Sequence, residues 1–271
     1  MPFAAINGLD LYYEVAGEGE PLVMIHAGIA DHRLWDEQFA HFSTHYRVMR
    51  YDMRGFGKTA PIAGEFTPLA DLVALLDHLG LQRVSLMGCS MGGSLCMDFA
   101  LAFPERASAL IMVCSAPSGL MLDVEEGEPF AALNVQIEAA SESGDIDRAN
   151  ELEAQVWMDG TRPASDPTPP AAREKMLQMN LLALQHQLLG LGKRLPNIAP
   201  LAGERLHELK LPVLVIVGQY DEPYSLAAGE AMAAQIAGAQ KIVLNTNHLP
   251  SIEQPERFNE IVSAFLTALP R

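Results

Sequence analysis

The chain has 271 residues, is 49% hydrophobic and 19% charged, and carries 34 acidic against 18 basic side chains, a formal charge of −16. That acidic excess repels nucleic acid and anionic membrane surfaces, so neither is expected as a partner, while a small-molecule substrate stays open. No apolar run of about 18 residues is free of charge, and no basic region precedes an apolar block at the N-terminus, so neither a membrane span nor a signal peptide is expected.

The composition and length allow one large domain or two small ones. Without a signal peptide, Cys89, Cys96 and Cys114 read as reduced thiols of a cytoplasmic protein. Their spacing fits no zinc site, and no metal or cofactor is expected. A homo-oligomer is compatible with the sequence.

In chain order, Asn7–Gly8 followed by "LYYEVAG" predicts a β-hairpin. The apolar runs 21–28 and 46–53 predict buried strands. Leu69, Leu72, Val73, Leu76 and Leu79 recur at helical spacing and Gly80 ends that helix. A strand over 83–88 leads into a helix over 91–103. Further strands are expected over 109–115, 212–218 and 241–245. The last helix buries Phe258, Ile261, Val262, Phe265, Leu266 and Leu269 on one face. Alternating strands and helices predict an α/β fold: a mostly parallel sheet flanked by helices, opened by the antiparallel hairpin.

Residues 119–206 break the alternation. They hold helical patterns such as "AAREKMLQMNLLALQHQLLGL", the acidic run "DVEEGE" and the proline loop "PASDPTPP", with no convincing strand. The expected organisation is a core of residues 1–118 and 207–271 and a helical cap inserted at 119–206.

The stretch Gly88-Cys89-Ser90-Met91-Gly92 matches G-x-S-x-G, a sharp strand-to-helix turn that exposes a serine hydroxyl at the carboxyl edge of the sheet. A serine is a weak nucleophile until a base takes its proton and a third group orients that base. Asp221 follows the strand 212–218 and His248 follows the strand 241–245, giving the chain order Ser, Asp, His on one sheet edge. Glu222 competes with Asp221 as the acid, but Asp221 is nearer the strand end. Gly28, with Ile29 second, offers a backbone amide that pairs with the amide of Met91 as an oxyanion hole. His26 reads as a structural hydrogen bonder, Trp35 as packing, and His32 as either pocket or packing. Asp52 and Arg54 in "DMRGFGKT" read as scaffold.

These pieces, "HAG", "YDMRGFGKT", "GCSMGG", "YDEP" and "NHLPSIEQPE" in order, resemble the α/β-hydrolase fold over nearly the full length. The chain is similar to the branch holding cofactor-free haloperoxidases, 3-oxoadipate enol-lactonases and small carboxylesterases. The resemblance implies an eight-stranded sheet, a cap inserted after the sixth strand, and a triad of Ser90, His248 and Asp221. Ser90 sets it apart from relatives that use an aspartate nucleophile. His26-Ala27 stands where many relatives carry His-Gly, so the first oxyanion donor lies at Gly28 or Ile29.

The expected activity is cleavage of carboxylic esters of small, mainly apolar substrates. Met121, Met158, Met176, Met179, Leu181, Leu182, Trp157 and Leu249 are the candidate pocket lining, although each singly reads as packing. Arg162, Arg173, Lys175, Lys193 and Arg194 are expected to face solvent, with no arginine cluster to clamp a dicarboxylate. Lactone hydrolysis, perhydrolysis and carbon–carbon hydrolysis remain alternatives on the same triad. A binding protein or interaction module on this fold is the non-enzymatic alternative.

Overall fold

The computed structural model describes residues 3–125 and 127–269. Glu126, inside the acidic run, lies outside the described residues. Strands β1 (Phe3–Ile6) and β2 (Leu9–Ala16) form the expected hairpin, with Asn7 at φ 47° and Gly8 at φ 82° making its turn. Then come β3 (Pro21–Ile25), β4 (Arg47–Tyr51), β5 (Val84–Cys89), β6 (Ala107–Val113), β7 (Val213–Gly218) and β8 (Gln240–Leu244). The eight strands lie in the order β1-β2-β4-β3-β5-β6-β7-β8, parallel from β4 to β8.

Helix α1 (Asp36–Phe42) follows β3, and α2 (Pro68–His78) follows β4. Thr67 caps α2 by accepting from the Ala70 amide, and Pro68 occupies its first turn, where no amide is needed. Helix α3 (Met91–Ala102) starts one residue after Ser90. The cap helices are α4 (Phe130–Ser143), α5 (Ile146–Ala154) and α6 (Pro170–Gln187). After β7 come α7 (Pro223–Gln235), then α8 (Pro250–Glu253) and α9 (Pro255–Thr267). Among the described residues no helix is long and apolar enough to cross a membrane.

The strands bury alternate residues on two faces. Val23 and Ile25 pack with Leu72, Leu75 and Leu76 of α2, Leu95 and Phe99 of α3 and Met232 of α7. Leu22 and Met24 pack with Phe42 of α1 and with Phe258, Ile261 and Val262 of α9. Each such fully buried leucine or phenylalanine contributes about 2 kcal/mol of transfer free energy.

The chain returns to the core earlier than the expected boundary at residue 206. Lys193–Arg194 pair with Glu65–Phe66 in a two-residue parallel ladder, a strand pair too short to show as a pattern. Ala202 and Leu206 are buried in the main core, because the segment after this ladder lies against α3 and α7.

The turn around Ser90 leaves no room for side chains. A Cβ on Gly92 would meet the Ile25 carbonyl oxygen at 2.4 Å and that of His26 at 2.5 Å. Gly92→Ala is therefore expected to cost about 1–3 kcal/mol of stability. Urea unfolding measures this, and an unchanged midpoint would show that α3 can retreat.

Candidate active site

Ser90 stands at φ 51° and ψ −118°, a conformation disfavoured for a residue with a side chain. Two hydrogen bonds hold it there. Its amide donates to the Val113 carbonyl at 2.9 Å, and the Ser115 hydroxyl donates to its carbonyl at 2.7 Å. Gly88 and Gly93 let the backbone on either side of Ser90 cross closely, since a Cβ on Gly88 would meet the Gly93 nitrogen at 2.5 Å. A Cβ on Gly93 would lie 2.5 Å from the Ser115 hydroxyl oxygen.

Asp221 and His248 come together. The imidazole Nδ1 donates to the Asp221 carboxylate, at 2.9 Å to Oδ1 and 2.8 Å to Oδ2, with side chains 3% and 0% exposed. With Nδ1 carrying the proton, Nε2 is the acceptor nitrogen. The Glu222 amide donates to Asp221 Oδ1 at 2.8 Å. Glu222 itself is engaged as the cap of α7, accepting from the amides of Tyr224 and Ser225, so it does not compete for the histidine.

The histidine loop lies directly on strand ends. A Cβ on Gly218 would meet the Asn247 carbonyl oxygen at 1.9 Å. Cys89, next to Ser90, donates its thiol to the His248 carbonyl at 3.5 Å, and Cys114 donates to the Asn247 carbonyl at 3.7 Å. Burial pushes both thiols up, so they stay protonated donors. Cys114, Asp221 and His248 approach one another as metal ligands do, but a protonated thiol and a hydrogen-bonded carboxylate–imidazole pair do not form a ligand set.

The cap also grips this loop. A π-helical turn, Gln155–Asp159, follows α5. The His248 amide donates to the Trp157 carbonyl at 3.3 Å, and Asn247 Nδ2 donates to the Val156 carbonyl at 3.2 Å. The Trp157 ring lies 4.5 Å from the His248 ring. Gly160 follows at φ 54°, where a Cβ would meet Asn247 Nδ2 at 2.3 Å. Arg162 is not at the surface as expected. Its side chain is 6% exposed and forms an ion pair with Glu253, which is 0% exposed. Glu253 also accepts from the Asn247 amide at 3.0 and 3.1 Å. Burial pushes its carboxyl up, and the Asn247 amide and the Arg162 charge pull it back.

On the other side, Gly28 and Met91 adjoin. A Cβ on Gly28 would meet the Met91 side chain at 3.8 Å. Gly28 and Ile29 are half-buried. His26 supports this loop from below: Nε2 accepts from the Met53 amide at 3.0 Å, and Nδ1 donates to the Ala27 carbonyl at 2.8 Å. His32 belongs to the scaffold, since its Nδ1 donates to Asp52 at 2.8 Å and its own amide donates there too. Asp52 also accepts from the Lys58 amide, and Arg54 pairs with Asp71. Trp35 is fully buried against Phe258.

The expected pocket lining, apart from the half-buried Leu181 and Leu182, separates into three groups. Trp157 is at the histidine. Met158, Met176, Met179 and Leu249 are fully buried in the core cluster beneath α9, where they pack the cap onto the sheet. Met121 is 90% exposed, in a stretch between β6 and α4 with no element to cover it, so it lines no pocket. Sequence patterns missed Arg162, Glu253 and Gly160, whose roles appear only once the cap is placed.

A model described as the alpha/beta hydrolase family matches residues 22–261. The 3-oxoadipate enol-lactonase 2 of Acinetobacter baylyi is 28% identical, over 86% of this chain and 83% of that protein. The 2-hydroxy-6-oxononadienedioate/2-hydroxy-6-oxononatrienedioate hydrolase 2 of Pseudomonas putida is 30% identical, over 95% of this chain and 92% of that protein. The structure of a thermophilic esterase from Thermogutta terrifontis aligns with a TM-score of 0.76 at 28% identity, covering 99% of this chain and 97% of that one.

Two outcomes follow from the buried ionisable groups. Arg162→Met strands the Glu253 carboxylate and is expected to destabilise the fold by about 3–5 kcal/mol. Glu253→Gln, which still accepts from Asn247, should lose less; equal losses in urea unfolding would sink this account. Burial depresses the His26 pKa in the folded chain. The unfolded chain then takes the proton first as the pH falls below about 6.5, so stability is full above that pH and declines toward the folded pKa. His26→Gln should show a smaller loss of urea stability between neutral pH and about pH 5 than the wild type.

Proposed function

Because the chain belongs to the alpha/beta hydrolase family, we propose that it is a serine hydrolase of carboxylic ester bonds, working through an acyl-enzyme. The observation that carries this reading is the buried Asp221–His248 hydrogen bond at the sheet edge where Ser90 occupies its strained turn. Ser90 attacks the ester carbonyl while His248 Nε2 takes the hydroxyl proton. Asp221 keeps the imidazole in the tautomer that leaves Nε2 free to accept, and stabilises the imidazolium that forms. The amides of Gly28 and Met91 receive the oxyanion of the tetrahedral intermediate. His248 passes its proton to the leaving alcohol. It then activates the water that releases the acid.

A lactone is an internal ester, and the same steps open it with the leaving hydroxyl still attached to the product. The similarity to the Acinetobacter enol-lactonase supports this second reading. The packing positions of Met158, Met176 and Met179 remove the argument for a wide apolar pocket, so the ester bond and not apolarity defines the substrate here.

The test is hydrolysis of p-nitrophenyl esters from acetate to dodecanoate, together with simple lactones. Ser90→Ala is expected to fall to background, and Asp221→Asn to lose about ten-thousandfold in kcat. Wild-type turnover by Ser90→Ala would overturn the reading.

A further inference from the structure

The proposed acid and base sit on two loops that the sheet holds together only part of the way. Past the ends of β7 and β8 the chains stay paired through two bonds, from the Gln219 amide to the Leu244 carbonyl at 2.8 Å and from the Tyr220 amide to the Thr246 carbonyl at 3.0 Å. Beyond these, no backbone hydrogen bond joins the two loops among the described residues. Asp221 follows Tyr220 directly, and His248 lies two residues after Thr246. The carboxylate and the imidazole therefore meet just where the sheet stops setting the spacing.

One side chain of the cap reaches both loops. The Arg162 guanidinium lies over the ring of Tyr220, 5.0 Å from its centre, a cation–π contact with the residue before Asp221. Its Nη2 donates to the Asn245 carbonyl at 3.4 Å and pairs with Glu253. Glu253 in turn accepts from the amide of Asn247, the residue before His248. Arg162 Nη1 donates to Asp166 Oδ2 at 3.2 Å, and the same oxygen accepts from the Tyr220 hydroxyl at 3.4 Å and from Asn245 Nδ2 at 3.0 Å. The Thr161 amide adds a bond to the Tyr220 carbonyl at 3.4 Å. Each loop is thus held at the residue before the acid or the base, and both holds end on one buried guanidinium. A planar fork of donors can make these contacts at once, whereas an ammonium cannot. Stability alone does not call for such a group, because well-packed apolar side chains replace a buried ion pair with no loss.

We propose that Arg162 is a positioning residue of the reaction. From the cap it fixes the spacing of the Asp221 loop and the His248 loop, and with it the alignment of the carboxylate on Nδ1 that leaves Nε2 free to take the serine proton. It acts through Tyr220, Asn245 and Glu253. The assignment rests on the triad reading above and adds to it a residue supplied by the cap.

The test measures kcat and KM on p-nitrophenyl acetate, per folded molecule, for the wild type, Arg162→Met, Arg162→Lys and Tyr220→Leu. Near-ultraviolet circular dichroism gives the folded fraction. Arg162→Met is expected to lose about a hundredfold in kcat with KM unchanged, as a misplaced catalytic group does. Arg162→Lys keeps the charge and should recover part of that loss. Tyr220→Leu leaves the pair with Glu253 in place and removes the hold on the acid loop, so its kcat should fall too. Leu76→Ala, which opens a gap between α2 and the sheet, is the control for lost stability and should keep the wild-type kcat. Proton NMR of the His248 Nδ1 hydrogen gives the second readout. Its resonance is expected to move in Arg162→Lys and Tyr220→Leu and to stay in Leu76→Ala. Wild-type kcat in Arg162→Met, or in Tyr220→Leu where Arg162→Met does not fold, overturns the assignment. So does a rise in KM alone, a lowered kcat with the Nδ1 hydrogen unmoved, or an equal loss in Leu76→Ala. If the wild type cleaves no ester, the ester reading fails by itself and the resonance decides: movement in Arg162→Lys supports the positioning role, and none overturns it.

Discussion

Close backbone contact around Ser90 governs the geometry of the whole sheet edge. A Cβ on Gly88 would lie 2.4 Å from the Gly92 carbonyl, and one on Gly92 the same distance from the Ile25 carbonyl oxygen. Helix α3 therefore begins in contact with β5 and β3, with nothing between them. The chain must turn within one residue, and Ser90 takes the strain at φ 51°. Such a conformation costs about 1–3 kcal/mol and persists because the fully buried strands on either side leave the turn no alternative. The same crowding recurs two strands away, where Gly218 admits the Asn247 carbonyl against its Cα. Small residues at these two points bring three separate loops to one edge.

Much of this was legible in the residues themselves. Asn7–Gly8 can adopt the two left-handed conformations a tight hairpin turn needs, and the hairpin is there. Continuous apolar runs marked the parallel strands because those are buried on both faces. Helix α7 escaped notice for a physical reason. It approaches β7 so closely that a Cβ on Gly229 would meet Val217 at 2.5 Å, so its buried face is made of Ser225, Ala228 and Gly229 with Met232 as the one large side chain. Without a large-residue stripe there is no periodicity to read. Helix α1 is only seven residues long, and the ladder at Phe66 and Arg194 is two residues long.

The site divides along similar lines. Ser90, Asp221 and His248 were visible because each lies within four residues of the end of a recognisable strand, and the meeting of Asp221 with His248 is a property of the sheet. The groups that depend on how the cap lies on the sheet were not visible. Arg162 read as a surface cation, yet it is buried with Glu253; Met121 read as pocket lining, yet it stands in solvent. Nothing in the spacing of residues 119–206 encodes the contacts they make with loops a hundred positions away.

The π-helical turn at Gln155–Asp159 has a consequence for how this protein can diversify. Its carbonyls receive the Asn247 side-chain hydrogen and the His248 backbone hydrogen, and the Trp157 ring lies tilted against the imidazole. The turn and the histidine loop are thus one mechanical unit along this stretch, and a substitution that reshapes the turn also displaces the histidine. Helix α4 packs on α5 through a small separate cluster around Ala140, Ala149 and Leu152, and it also touches the π-helical turn. The segment from Gln155 to Arg162 is therefore closed to drift that would leave His248 where it is, and α4 shares in that constraint through the turn it touches.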